Sequence, residues 1–132
     1  MRVDLRTLLP ALGLAAFPVG ALAQDAYDCT TLSVCEGTAP CVDVDSPLRL
    51  VLERFRARVT DAEGREIVLD RSLTRNARGP DRAFAATTPG NTSLLLSFMG
   101  ESGGLTITEH TRGDIAAPGA VTLTAICRPE GG

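Results

Sequence analysis

The stretch Ser46-Pro-Leu-Arg-Leu-Val-Leu-Glu-Arg-Phe55-Arg-Ala-Arg-Val-Thr60 decides the fold, because both secondary-structure periods can be read from it. As a helix over 47–62, Leu48, Val51, Leu52, Phe55, Val59 and Ala62 share one face. Ser46-Pro47 opens that helix, Gly64 stops it, and only Leu50 is badly misplaced. As strand, Leu48, Leu50 and Leu52 form one alternating set, and Phe55, Ala57 and Val59 form another against Arg54, Arg56 and Arg58. The phase slips between Leu52 and Phe55, which requires a bulge or bend. The local pattern slightly favours helix, but the surrounding chain favours strand.

That context is a succession of short, alternating segments. Val59 to Leu69 reads as a hairpin around Asp61-Ala-Glu-Gly64, and Glu66 to Leu73 continues as strand. A polar loop, Thr74 to Asp81, precedes a small strand at Arg82 to Thr87 and a turn at Pro89-Gly90-Asn91. Thr92 to Met99 (TSLLLSFM) is the most apolar segment after the leader and is expected as a central buried strand. Leu105 to Thr111 alternates cleanly, Arg112 to Gly119 reads as a loop, and Ala120 to Arg128 closes the chain as a last strand. The expectation is an all-β domain, a single small antiparallel sandwich or closed barrel of about seven or eight strands. The alternative is an α+β domain with a helix at 47–62.

Upstream, Met1 to Ala23 has the parts of a cleaved secretory signal peptide: Arg2 and Arg6, an apolar run from Thr7 to Gly20, and Ala21-Leu22-Ala23 before the cleavage point. The remaining residues, 24–132, make one domain of 109 residues, expected to have no stable membrane insertion once the signal is removed. Export places the four cysteines in an oxidising compartment, periplasmic or secreted, where they read as a disulfide framework. Four cysteines permit three pairings. The turn chemistry of Glu36-Gly-Thr-Ala-Pro40 favours Cys35 with Cys41, which leaves Cys29 with Cys127. Cys29, Thr31, Ser33 and Cys35 are expected on one face of a strand running from Tyr27.

The chain carries 13 basic residues, all arginine, and 16 acidic ones; removing Arg2, Arg6 and Asp4 leaves 11 and 15, a formal −4. Net acidity argues against nucleic acid as partner. Gly100-Glu-Ser102-Gly-Gly104 satisfies a serine-nucleophile pattern, and His110 is the only histidine to serve as its base. A glycine-rich hairpin turn accounts for the same residues, and a strand rather than a helix follows. Asp43 with Asp45, and Asp61 with Glu63, fall short of a calcium loop, so no metal and no cofactor is expected. Two arginine groups could grip carboxylates or phosphates: Arg54, Arg56 and Arg58 on a strand face, and Arg71, Arg75, Arg78 and Arg82 around the Asn76–Pro80 loop. Arg112-Gly113-Asp114 matches an adhesion tripeptide, and Asn91-Thr92-Ser93 a glycosylation sequon.

Tyr27 and Cys29 at the mature start, a strand-rich middle and Thr-Ala-Ile-Cys127 in the last strand together resemble small periplasmic bacterial proteins, among them the membrane-bound inhibitors of c-type lysozyme. The resemblance implies a small antiparallel barrel closed by a disulfide between its ends. That family acts through a Ser-Gly-x-x-Tyr loop; here Ser102-Gly103 is followed by Gly104-Leu105-Thr106, without the tyrosine. The resulting expectation is an exported, non-enzymatic β domain that binds a protein or small ligand in the envelope, as a binding or inhibitor-like module. A structural subunit of an envelope assembly is the alternative, and a small serine hydrolase using Ser102 and His110 is the third reading.

Overall fold

Alternation of apolar and polar residues runs through the whole domain, and the chain answers it with strands. The computed structural model describes residues 25–76, 79–88, 92–114 and 117–131. The expected signal segment 1–23, Arg78 and the sequon residue Asn91 lie outside them. Among the described residues nine strands follow one another: β1 (Asp25–Glu36), β2 (Val42–Leu52), β3 (Ala57–Thr60), β4 (Glu66–Leu69), β5 (Arg71–Ser72), β6 (Arg82–Thr88), β7 (Thr92–Met99), β8 (Gly104–Asp114) and β9 (Ala117–Pro129). Among the described residues there is no helix, so the α+β alternative falls.

Every ladder is antiparallel, in the order β4-β3-β2-β1-β9-β8-β7-β6-β5. The two edges, β4 and β5, are separated in the chain by Asp70 alone. The segment 66–72 therefore pairs with β3 through its first half and with β6 through its second, which brings the sheet round into a nearly closed barrel. Counting that segment as one strand makes an eight-stranded meander. β4 lies against the far part of β6 without a ladder, leaving one unzipped seam.

The contested stretch resolves as two strands joined by a tight turn. β2 ends at Leu52, the Glu53 N–H donates to the Arg56 carbonyl at 2.8 Å, and β3 begins at Ala57. What reads as a phase slip in one bent strand is a hairpin, and Phe55 leaves the apolar row to become 65% exposed. Directly opposed residues of an antiparallel pair face the same side, so the ladders set the inward row: Leu48, Leu50 and Leu52 on β2, Ala57 and Val59 on β3, Leu94, Leu96 and Phe98 on β7, Leu105 on β8, Ala125 and Cys127 on β9. β7, expected as a central buried strand, is buried on that side only, since Leu95 and Met99 are exposed, and is one wall strand among others. β8 and β9 continue through most of the segment expected as a loop at 112–119, with a register shift between Thr111 and Asp114.

Cys29 stands directly opposite Cys127 in the β1–β9 ladder and is bonded to it; Cys35 is bonded to Cys41 across the β1–β2 turn. A register shift between Thr31 and Ser33 puts Val34 opposite inward-facing Leu123, so Cys35 faces away from the side of Cys29 and Thr31. The expected shared face breaks at this bulge, which is a property of pairing rather than of alternation.

Loop-closure entropy ranks the two bonds. With its cysteines separated by 98 positions, Cys29–Cys127 contributes about 4–5 kcal/mol, and Cys35–Cys41, separated by 6, about 2 kcal/mol. Urea denaturation of the Cys29→Ser/Cys127→Ser and Cys35→Ser/Cys41→Ser pairs is expected to show the first as the larger loss. Equal losses would contradict the ranking.

Candidate functional site

Following each strand from end to end sorts the connections into two groups. The β2–β3 turn, the loop segments 73–76 and 79–81, the turn at 100–103 and the start of β1 at Asp25 gather at one end of the barrel. Here the two arginine groups of the sequence meet, though in another arrangement from the one expected. Arg82 is in phase with Phe84 and Ala86, so it points inward and is only 6% exposed. One terminal nitrogen, Nη2, donates to the Glu53 carbonyl at 2.9 Å and to the Arg54 carbonyl at 3.0 Å, and the guanidinium carbon lies 4.9 Å from the centroid of the Phe84 ring. Its Nε is buried without a hydrogen-bond partner. Burial pushes the Arg82 pKa down, partly countered by the charges of Asp25 and Tyr27. A guanidinium held by carbonyls and an aromatic face is a stake under the turn.

The turn is clamped from outside as well. The Glu53 carboxylate accepts from Arg56 Nε at 2.7 Å and from Arg58 Nε at 2.8 Å. The Arg56 hydrogen bond is the main reason its pKa lies below the ordinary 4.5, with burial opposing. Between these fixed points Arg54 lies over the exposed Phe55 ring, 5.1 Å from its centroid, and makes no salt bridge among the described residues. The tip thus presents an aromatic ring and a cation that is unpaired among the described residues, on a backbone held from two sides.

Of the second arginine group, Arg71 lies opposite outward-facing Ala85 and is exposed. Arg75 is exposed on the loop, where it lines a groove of about 350 Å³ with Thr74, Asp81 and Met99. Arg71 and Arg82 therefore occupy opposite faces of the wall, and the structure does not gather the group around one anion. The loop is tied down by Asp81, whose Oδ1 accepts from the Gly100 N–H at 3.1 Å. A side chain at Gly100 would meet the Pro80 carbonyl at 2.5 Å, so the close approach of loop and turn requires glycine there.

Ser102 sits in the adjacent turn, its Oγ accepting from the Gly104 N–H at 3.2 Å. His110 lies six residues along β8 from Gly104, exposed, opposite Ser93 and Ala120. At the rise of a strand this separates the two by roughly 20 Å, so the structure does not bring them together as nucleophile and base. Among the described residues no group of three or more His, Cys, Asp or Glu side chains could hold a metal ion. A larger concavity, about 440 Å³, runs over the outer wall. Its charges neutralise one another: Asp28 stands between Arg49 and Arg128 on neighbouring strands, and Arg49 is bonded to Glu130 at 2.7 Å.

Sequence reasoning missed both Phe55 and the inward Arg82. The second had a signal, the shared parity of Arg82, Phe84 and Ala86; the first depended on knowing that 53–56 turns.

Arg82→Ala is expected to cost about 2–4 kcal/mol in urea denaturation, through lost packing and two freed carbonyls, whereas Phe55→Ala changes stability by less than about 0.5 kcal/mol. Acid acts through Glu53, and through Asp61 and Glu130, whose pKa values are held below 3.8 by the Arg65 backbone N–H and below 4.5 by the Arg49 hydrogen bond. Because folding lowers these values, the stability they contribute is present above the unfolded values and is lost as pH falls through the folded ones. The urea midpoint is expected to fall below about pH 4.5, with a smaller fall in Glu53→Gln. No family model, curated protein or solved structure matches the chain.

Proposed function

We propose that the domain is an exported, non-enzymatic binding module of the bacterial periplasm that engages a macromolecular partner through the Glu53–Arg56 turn, in the manner of an inhibitor loop. The two disulfides fit an oxidising, extracellular or periplasmic environment, and no described helix is long and apolar enough to cross a membrane. The finer location rests on the signal-like Met1–Ala23 segment.

The observation that carries the reading is Phe55, a large aromatic left 65% exposed on a turn that is otherwise fully anchored. Exposing that ring does nothing for the isolated fold. Aromatic and arginine side chains dominate the energetics of protein interfaces, and a turn fixed beforehand loses little entropy on docking. Exposed Leu73 and Met99 lie at the same end and would widen the apolar contact, with Arg54 and Arg75 at its margin. The partner surface this fits is an apolar cleft with acidic groups on its rim.

A photo-crosslinking residue placed at position 55, compared with one at exposed Leu95 on the wall, tests the reading in an envelope extract. The expected result is one saturable product from position 55 that is lost in Arg54→Glu. The same products from both positions, or none from 55, would count against it.

A further inference from the structure

The two ends of the barrel interior are filled differently. Phe84, Phe98, Tyr27 and Arg82 pack the end described above, with the Tyr27 and Phe98 rings 4.8 Å apart. The opposite end, under the Asp61–Arg65 turn, is lined only by aliphatic side chains and a few charged ones, and it retains a cavity of about 200 Å³. Leu48, Val59, Leu94, Ile107 and Leu123 form its walls, and Glu109 is the acidic group among them. Glu109 stands opposite Leu94 on β7 and Val121 on β9, so it belongs to the inward row with Leu105 and Ile107. Among the described residues it has neither an ion pair nor a hydrogen-bond partner for its carboxylate. Among the described residues one cation, Arg65, lies on the lining, and it is already bonded to Asp61 at 2.9 Å and to Glu63 at 3.4 Å.

We infer that this cavity binds a small apolar molecule carrying a cationic head group, with Glu109 as the counter-ion. A carboxylate half-buried beside an apolar wall favours a positive partner, and among the described residues none pairs with it. The volume is a little above the roughly 150 Å³ that accepts benzene in a dry protein cavity, so the apolar body is of about six to eight heavy atoms. The unzipped seam between β4 and β6 lies beside it: Ile67 of β4 lines the cavity and is 42% exposed, which gives the ligand a lateral way in. An eight-stranded barrel is the size that either fills itself or holds one small ligand, and this barrel does the first at one end and the second at the other.

Hexylammonium, hexanol and hexanoate, titrated at low ionic strength and followed by the methyl NMR signals of Leu94, Ile107 and Leu123, form the test. Hexylammonium is expected to give saturable shifts confined to those methyls and to bind about tenfold or more tighter than hexanoate, as charge-assisted contacts do. In Glu109→Gln its affinity drops to that of hexanol. Val121→Phe, which fills the cavity from its edge, abolishes binding of all three while the amide spectrum stays folded. No saturable shift at any accessible concentration, equal affinity for the ammonium and the carboxylate, or undiminished binding in a folded Val121→Phe would each overturn the inference. Should Val121→Phe unfold, the Glu109→Gln comparison decides alone.

Discussion

The ladder between the first and last strands is the constraint on which the rest of the barrel depends. Without it, β1 and β9 would each present a long row of unpaired backbone groups, and the inward rows of eight strands would have no common interior to face. With it, Cys29 and Cys127 stand opposite each other and can be joined without distorting either strand. The bond, the ladder and the Glu130 N–H donating to the Ala26 carbonyl at 2.9 Å all close the same seam. Register there propagates: Leu123 meets Val34, Ile107 meets Leu123, and Leu96 meets Ile107, so the apolar row is continuous around the wall.

How much of this could be read beforehand depended on which physical signal each element carries. Two-residue alternation is local and strong, so the strands at Glu66, Thr92, Leu105 and Ala120, the Asp61–Gly64 turn and the disulfide pairing were all legible. The contest at Ser46–Thr60 was hard because a tight turn between two strands shifts the alternation by an amount that mimics a helical face. The bulge between Thr31 and Ser33, which redirects Cys35, lives in cross-strand pairing and leaves no trace in composition. Arg82 was grouped with arginines able to grip an anion; its parity with Phe84 was the contrary evidence, and of the compensation that permits its burial the ring is Phe84 itself, while the two carbonyls come from Glu53 and Arg54, far back along the chain. The cavity is a deficit of side-chain volume, visible only when all the walls are in place.

The unequal filling divides labour within a small molecule. Aromatic packing and the staked arginine fill the end beneath the Glu53–Arg56 turn, while the aliphatic end keeps a cavity and, among the described residues, an unpaired Glu109. Both are departures from what stability alone would select, and they sit as far apart as the barrel permits. Between the two ends run strands laddered to neighbours on both sides, except along the seam where β4 meets β6.

Asp70 carries the chain from one sheet edge to the other in a single step, and this shapes how the barrel can form. Counting 66–72 as one strand, every strand except the first and last pairs only with its neighbours in sequence, and each hairpin can assemble from contacts close along the chain. One pairing, β1 with β9, must wait for a loop of nearly the whole domain to close, and such non-local pairings are the slow ones. Oxidation of Cys29 with Cys127 makes that late encounter permanent. A fold otherwise built from short-range steps thus has its kinetic bottleneck and its covalent lock at the same place.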